Sequence, residues 1–237
     1  MEVENLKIFK KIISTLLFLT LLICPKTAKA SSLNNKPIEK NKEGYNILVD
    51  ISEFKMYLIE KGSNKPIKKY PIAGGKPTTP SPYGTWKVIS KSANWGSGFG
   101  TRWMGLNVPW GQYGIHGTNK PLTINNPDSQ GCIRMFNKDV EELYKYVDVG
   151  TIVVIYGGPY NLLWNNFRTL KPGDKGADVL EVQRVLKDRG YYPGKLDGIY
   201  GVGMKSIILK FKTDNNLSFS HYIDGEMYNK LGMQPFE

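Results

Sequence analysis

The chain is poor in the residues that bind metals and staple small folds. Its 237 residues include only two cysteines, Cys24 and Cys132, and two histidines, His116 and His221. That set cannot supply a Cys/His cluster at zinc-ligand spacing. There is no phosphate-binding loop and no dinucleotide fingerprint. No metal and no cofactor are therefore expected. Long apolar runs are also scarce. The longest, 12–23, is interrupted by Ser14, Thr15 and Thr20 and falls short of the roughly 20 residues a membrane span needs. Lys7, Lys10 and Lys11 precede it, and Ala28-Lys29-Ala30 follows as a small-x-small site. This order predicts a signal peptide over 1–30, with no stable membrane span once it is cleaved. The alternative is an uncleaved N-terminal anchor. Cleavage removes Cys24, so Cys132 has no disulfide partner within the mature chain.

Acidic residues are outnumbered, 21 against 32 basic ones, for a net charge of +11. The leader carries five lysines and two glutamates of these, so the mature chain keeps +8. Such a charge favours a polyanionic partner. For an exported protein that partner is cell wall or anionic lipid, not nucleic acid. A secreted, wall-associated monomer is expected.

What is present falls into two regions. Residues 31–43 are polar and aperiodic and read as a spacer. Short alternating or β-branched runs follow at 46–51, 55–59, 67–72, 85–90 and 152–156, punctuated by Gly, Pro and Ser. Only 138–147 reads as helix there, with Val140, Leu143, Tyr144 and Val147 on one face and Asn137 as a candidate N-cap. The region 44–157 is expected to be mainly β, a sandwich or partly closed barrel. Residues 158–169 form a second linker, in a stretch whose Tyr160, Trp164 and Phe167 are expected to pack across a domain boundary. From Leu170 the period changes. Helices are predicted over 177–190, 203–214 and 225–231, the last capped by Asp224, giving a small all-α domain over 170–235. Tyr191, Tyr192 and Phe219 are expected in its core.

The chemistry centres on Cys132, in Ser129-Gln130-Gly131-Cys132-Ile133-Arg134, sixteen positions after His116 in Ile115-His116-Gly117-Thr118. A free thiol is only a few per cent ionised at neutral pH. His116 would either pair with it as imidazolium or serve as its general base. No acid neighbours His116, so a backbone carbonyl, that of Gly117, is the candidate partner for its other nitrogen. Gly131 permits a tight bend that could aim successive N–H groups at an oxyanion. Arg134 offers a fork for a carboxylate, with Ser129 and Gln130 as further candidate substrate contacts.

These two motifs together resemble the signature of the L,D-transpeptidase (YkuD-type) catalytic domain. Ile47-Leu48-Val49-Asp50, Gly75-Lys76-Pro77-Thr78-Thr79-Pro80 and Gly84-Thr85-Trp86 extend the resemblance over roughly 44–157. It implies a β-rich exported enzyme acting on peptidoglycan stem peptides. By that likeness Cys132 would attack after the third stem residue, expel the terminal D-alanine and pass the acyl group to an amine of another stem. His116 would be the base, oriented by Gly117, with Arg134 near substrate. Gln130 stands where the family usually has His or Arg, which leaves His116 as the sole titrating partner. The C-terminal segment resembles a three-helix peptidoglycan-binding domain through Leu170-Lys171, Gly173-Asp174, Asp178-Val179, Gln183, Leu186, Asp197-Gly198-Ile199-Tyr200-Gly201 and Asp224-Gly225. Lys212 and Met204 depart from its pattern, at positions that usually hold glutamine and threonine.

The expected function is 3-3 type transpeptidation. The rivals are an L,D-carboxypeptidase, with water as acceptor, and a non-catalytic wall-binding protein. A chain ending at residue 167 is expected to retain turnover of a soluble substrate, because every catalytic candidate lies at or before Arg134.

Overall fold

The computed structural model describes residues 44–93, 95–157 and 167–233. All of these fall within one compact unit. The expected leader and spacer, and Tyr160 and Trp164, lie outside the described residues. No helix among the described residues is long and apolar enough to cross a membrane.

The early strands follow directly from alternation. In β1 (Tyr45–Asp50), Tyr45, Ile47 and Val49 are buried and the residues between them half-buried. β2 (Lys55–Glu60) pairs antiparallel with it, setting Leu58 opposite Ile47 and Met56 opposite Val49. The turn between them is built by Asp50, whose Oδ1 accepts from the Ser52 and Glu53 N–H groups at 2.9 and 3.1 Å. β3 (Pro66–Pro71) forms the outer edge. On the other side β10 (Ile152–Tyr156) runs parallel to β1, so Val153 and Ile155 join the same buried face. β5 (Gly84–Ala93) pairs antiparallel with β10 and adds Trp86 and Val88. Each such aliphatic side chain contributes about 1.5–3 kcal/mol on burial.

Beyond β5 the sheet continues through β6 (Arg102–Leu106), β7 (Tyr113–His116) and β9 (Ile133–Arg134), giving the order β3-β2-β1-β10-β5-β6-β7-β9. A separate two-stranded ladder pairs β4 (Gly74–Gly75) with β8 (Pro127–Ser129). α1 (Asn137–Tyr144) follows β9 and buries Val140 and Leu143 in the same core. The architecture is thus mainly β, as expected. The short runs β4 and β6 to β9 were not expected.

Three helices form a second core: α2 (Ala177–Asp188), α3 (Met204–Asp214) and α4 (Gly225–Lys230). α2 ends before Gly190, which takes φ +78°. The Asp224 side chain caps α4 by accepting from the Met227 N–H, as expected. Tyr191 and Tyr192 pack on this core. Phe219 does not. It is 77% exposed, a correction to the reading above. Phe167 stacks on Tyr228 at 4.4 Å and so belongs to the helical core rather than to a domain boundary. Lys212 is fully buried, with Nζ at 2.7 Å from Asp224 and 2.9 Å from Ser220. At this position the departure from glutamine is an internal ion pair, not a surface change.

Candidate active site

The register of β7 against β9 brings the two sequence motifs together. The strands run parallel, with Ile115 opposite Ile133 and His116 opposite Arg134. Ile115 and Ile133 are both buried in the core. Because faces alternate along a strand, Gly114 and His116 on β7 share the other face with Arg134 and Cys132. Cys132, one residue ahead of β9, therefore stands beside Gly114 and diagonal to His116. Its thiol is half-buried and unpaired with any other sulfur.

His116 is 3% exposed. Its Nδ1 lies 2.5 Å from the Gly117 carbonyl, which places the proton on Nδ1 and leaves Nε2 as an acceptor. Burial pushes its pKa down from 6.5 to about 4. The Gly117 carbonyl opposes this, Arg134 adds to it, and the Phe99 carbonyl opposes it weakly. Burial likewise pushes the Cys132 thiol up, while the Gly114 N–H and the Arg134 charge pull it down. The resting pair is accordingly a neutral thiol and a neutral imidazole. Of the two alternatives open from sequence, the surroundings favour a general base over a preformed ion pair.

Aromatic rings enclose the imidazole. Trp103 stacks on it at 5.7 Å, and Phe99 meets it edge-on at 4.9 Å. Trp95 stacks on Trp103 in turn. Gly114 makes room for this, since any Cβ there would lie 2.7 Å from the Trp103 ring.

The Cys132 loop is held from three sides. Ser129 is buried, and its hydroxyl donates to the Cys132 carbonyl at 2.6 Å and accepts from the Gly131 N–H at 3.0 Å. The Gly131 N–H is thereby committed to Ser129. Gly131 itself has φ +107°, and a Cβ there would sit 2.6 Å from the Tyr113 ring and 3.1 Å from the Pro80 carbonyl. The segment Lys76–Thr79 grips Ser129: the Lys76 N–H and the Thr79 hydroxyl both donate to the Ser129 carbonyl. Gln130 is exposed at the rim.

Arg134 does not stand as an open fork. Its guanidinium contacts Asp128 at 3.0 Å, and Lys76 lies 4.0 Å from the same carboxylate. Asp128 escaped the sequence reading, although its place six residues before Arg134 is a weak signal for it. Asn137 was misread. The residue at the N-cap is Phe136, with no side-chain cap, and Asn137 is the first residue of α1. Its Oδ1 reaches across instead, accepting from the Thr118 N–H at 3.1 Å and the Thr101 N–H at 3.3 Å. It thus stitches the chain just after His116 to the loop that carries Phe99. Among the described residues no group of His, Cys, Asp and Glu could hold a metal ion.

The sheet thus sets a cysteine, one residue ahead of β9, on the face that carries a histidine of the parallel neighbour β7. Residues 44–155 match the YkuD family model, described as "L,D-transpeptidase catalytic domain", and residues 175–231 match one described as "Putative peptidoglycan binding domain". Over these two stretches the chain resembles a YkuD-type catalytic domain followed by a domain of the peptidoglycan-binding kind. It is 47% identical over 93 residues to "Putative L,D-transpeptidase YkuD" of Bacillus subtilis, covering 39% of this chain and 56% of that protein. To the protein of the same name from Bacillus licheniformis it is 41% identical over 111 residues, covering 47% and 65%. The chain thus spans less than two thirds of the length of these relatives. The NMR structure of the catalytic domain from an E. faecium L,D-transpeptidase aligns at 27% identity and a TM-score of 0.41, over 48% of this chain and 98% of that one.

Proposed function

We propose that this chain is an extracytoplasmic cysteine acyltransferase that cross-links peptidoglycan stems in the 3-3 manner. The supporting observation is the shared face: His116 of β7 stands opposite Arg134 of β9, Cys132 just ahead of β9 falls on the same face, and the imidazole is neutral with its Nε2 lacking a proton. Cys132 Sγ attacks the carbonyl of the third stem residue as its proton passes to His116 Nε2. The tetrahedral intermediate collapses with cleavage of the C–N bond, and the imidazolium returns the proton to the departing D-alanine amine. An acceptor amine then attacks the thioester, losing its proton to His116, and the thiol is restored. Gly117 fixes the imidazole, and the Ser129–Gly131 loop fixes the nucleophile. Arg134, already balanced by Asp128, supplies positive potential for a stem carboxylate. The helical domain carries the enzyme to the wall.

The test is incubation with purified disaccharide-tetrapeptide and mass analysis of products. A cross-linked dimer with loss of D-alanine is expected, and none from a folded Cys132→Ala protein. Trimmed monomer alone would mean that water is the acceptor. Substantial dimer from Cys132→Ala would refute the nucleophile. His116→Ala is expected to slow acylation by roughly 10²–10⁴-fold.

A further inference from the structure

We propose that the helical module is a working wall of the catalytic centre: it holds Trp110, and through Trp110 the ring of Tyr113, against the backbone that presents Cys132. The proposal rests on Cys132 as nucleophile, and it replaces the expectation that the module stands apart from the chemistry.

The contact begins at Gly198. A Cβ there would lie 2.4 Å from the Trp110 ring, closer than side chains approach. Ala177 and Leu180 of α2, and Ile199, also pack on the hydrophobic core of the catalytic domain. The loop bearing Gly198 is pinned. Gln183 is fully buried, and its Oε1 accepts from the Asp197 and Gly198 N–H groups at 3.1 and 2.8 Å. Its amide donates to Asp197 Oδ1 and the Ile199 carbonyl. The module thus offers Trp110 a fixed surface rather than a mobile one.

Trp110 lies in the 107–112 connection between β6 and β7, outside any ladder, yet is only 8% exposed. It meets Trp86 edge-on at 5.3 Å and Tyr113 at 6.3 Å. Tyr113 in turn fills the space that the missing side chain of Gly131 leaves open. The next residue, Gly114, falls beside Cys132 in the β7–β9 register, and its N–H favours the thiolate. A chain of direct contacts therefore runs Gly198, Trp110, Tyr113, Gly131. Removing its first link exposes an indole and frees the ring that backs the nucleophile loop.

The test uses the full chain with Cys24 replaced by Ser, so that Cys132 is the only thiol. Leu180→Glu places a carboxylate in the apolar contact, and Gly198→Ala drives a methyl at Trp110. Leu180→Met is the conservative control. Three quantities are read: kcat with disaccharide-tetrapeptide, the pH profile of iodoacetamide alkylation, and acrylamide quenching of tryptophan. Leu180→Met should behave as the parent. The two disruptive variants should gain quenching and lose about 10- to 100-fold in kcat, the scale of a misplaced reacting group. Their alkylation profiles should shift to higher pH as the Gly114 N–H drifts from the thiol. His116 and Arg134, the other groups facing the thiol, are untouched by either change. Added quenching with unchanged alkylation would overturn the proposal, as would unchanged quenching in both variants. If Leu180→Glu does not fold, Gly198→Ala decides. If the parent turns over no tetrapeptide, the proposed reaction fails, while alkylation still reads the coupling.

Discussion

His116 is set to accept a proton at neutral pH rather than to hold one. With its pKa near 4, kcat should stay nearly flat from pH 8 down to about 5 and fall only as the solution approaches pH 4. A midpoint near 6.5 in the pH–rate profile would mean that the imidazole is not desolvated as described. The same burial links the residue to stability. As pH falls, the unfolded chain takes up the proton first, near 6.5, and the folded chain only near 4. Stability is therefore full above 6.5 and lost between 6.5 and 4, by about 3 kcal/mol for a shift of this size. His116→Gln should flatten that part of a Tm-against-pH curve. Asn137 acts one step further out. Asn137→Ala strands two backbone N–H groups, costing about 1–3 kcal/mol, and loosens the Gly117–Thr118 turn that orients the imidazole. Asn137→Asp keeps the acceptor and should retain more of both Tm and kcat.

At the scale of elements, the sequence was most legible where burial alternates regularly. β1, β2 and β10 show it because each meets a core on one face and carries β-branched or aliphatic residues there. The site strands do not. β6 and β7 contain Gly105 and Gly114, whose missing side chains leave room for the Ser90 hydroxyl and the Trp103 ring, a requirement that only the paired strands reveal. β9 is two residues long and carries no period at all. The candidate pair was legible nonetheless, because Cys132 and His116 are rare residues set in glycine-marked motifs. Asp128, Asn137 and Tyr113 were not, since their roles arise from distant segments. Lys212 shows the same limit. Its burial could not be read from one departure in a helical pattern, yet it predicts a definite outcome. Lys212→Ala removes the partner of Asp224, which also caps α4, and should lower the stability of the helical module by up to about 3–5 kcal/mol. Asp224 is about a third exposed, so the loss should fall at the lower end of that range. Thermal unfolding followed by circular dichroism would read it, and iodoacetamide reactivity of Cys132 at low temperature should not change.

For the whole molecule, the question is whether the wall is found by charge or by the helical module. The two are separable because the charge is unevenly spread. Residues 167–237 hold eleven Lys and Arg against nine Asp and Glu, so the module contributes only +2 of the mature +8. If binding were electrostatic, a chain ending at residue 157 would keep most of it, and salt would abolish it in both forms. If the module recognises the wall, the truncated chain should lose sedimentation with insoluble sacculi although it keeps +6. We expect the second outcome. At about 0.15 M salt the Debye length is near 8 Å, so contacts between exposed lysines and wall anions are already largely screened beyond that distance. The intact mature chain should therefore remain bound at that salt and be only partly released at about 1 M, where screening shortens to roughly 3 Å. Parallel loss from both chains as salt rises would instead assign wall binding to the lysines of the catalytic domain. It would leave the contact with Trp110 as the role of the module.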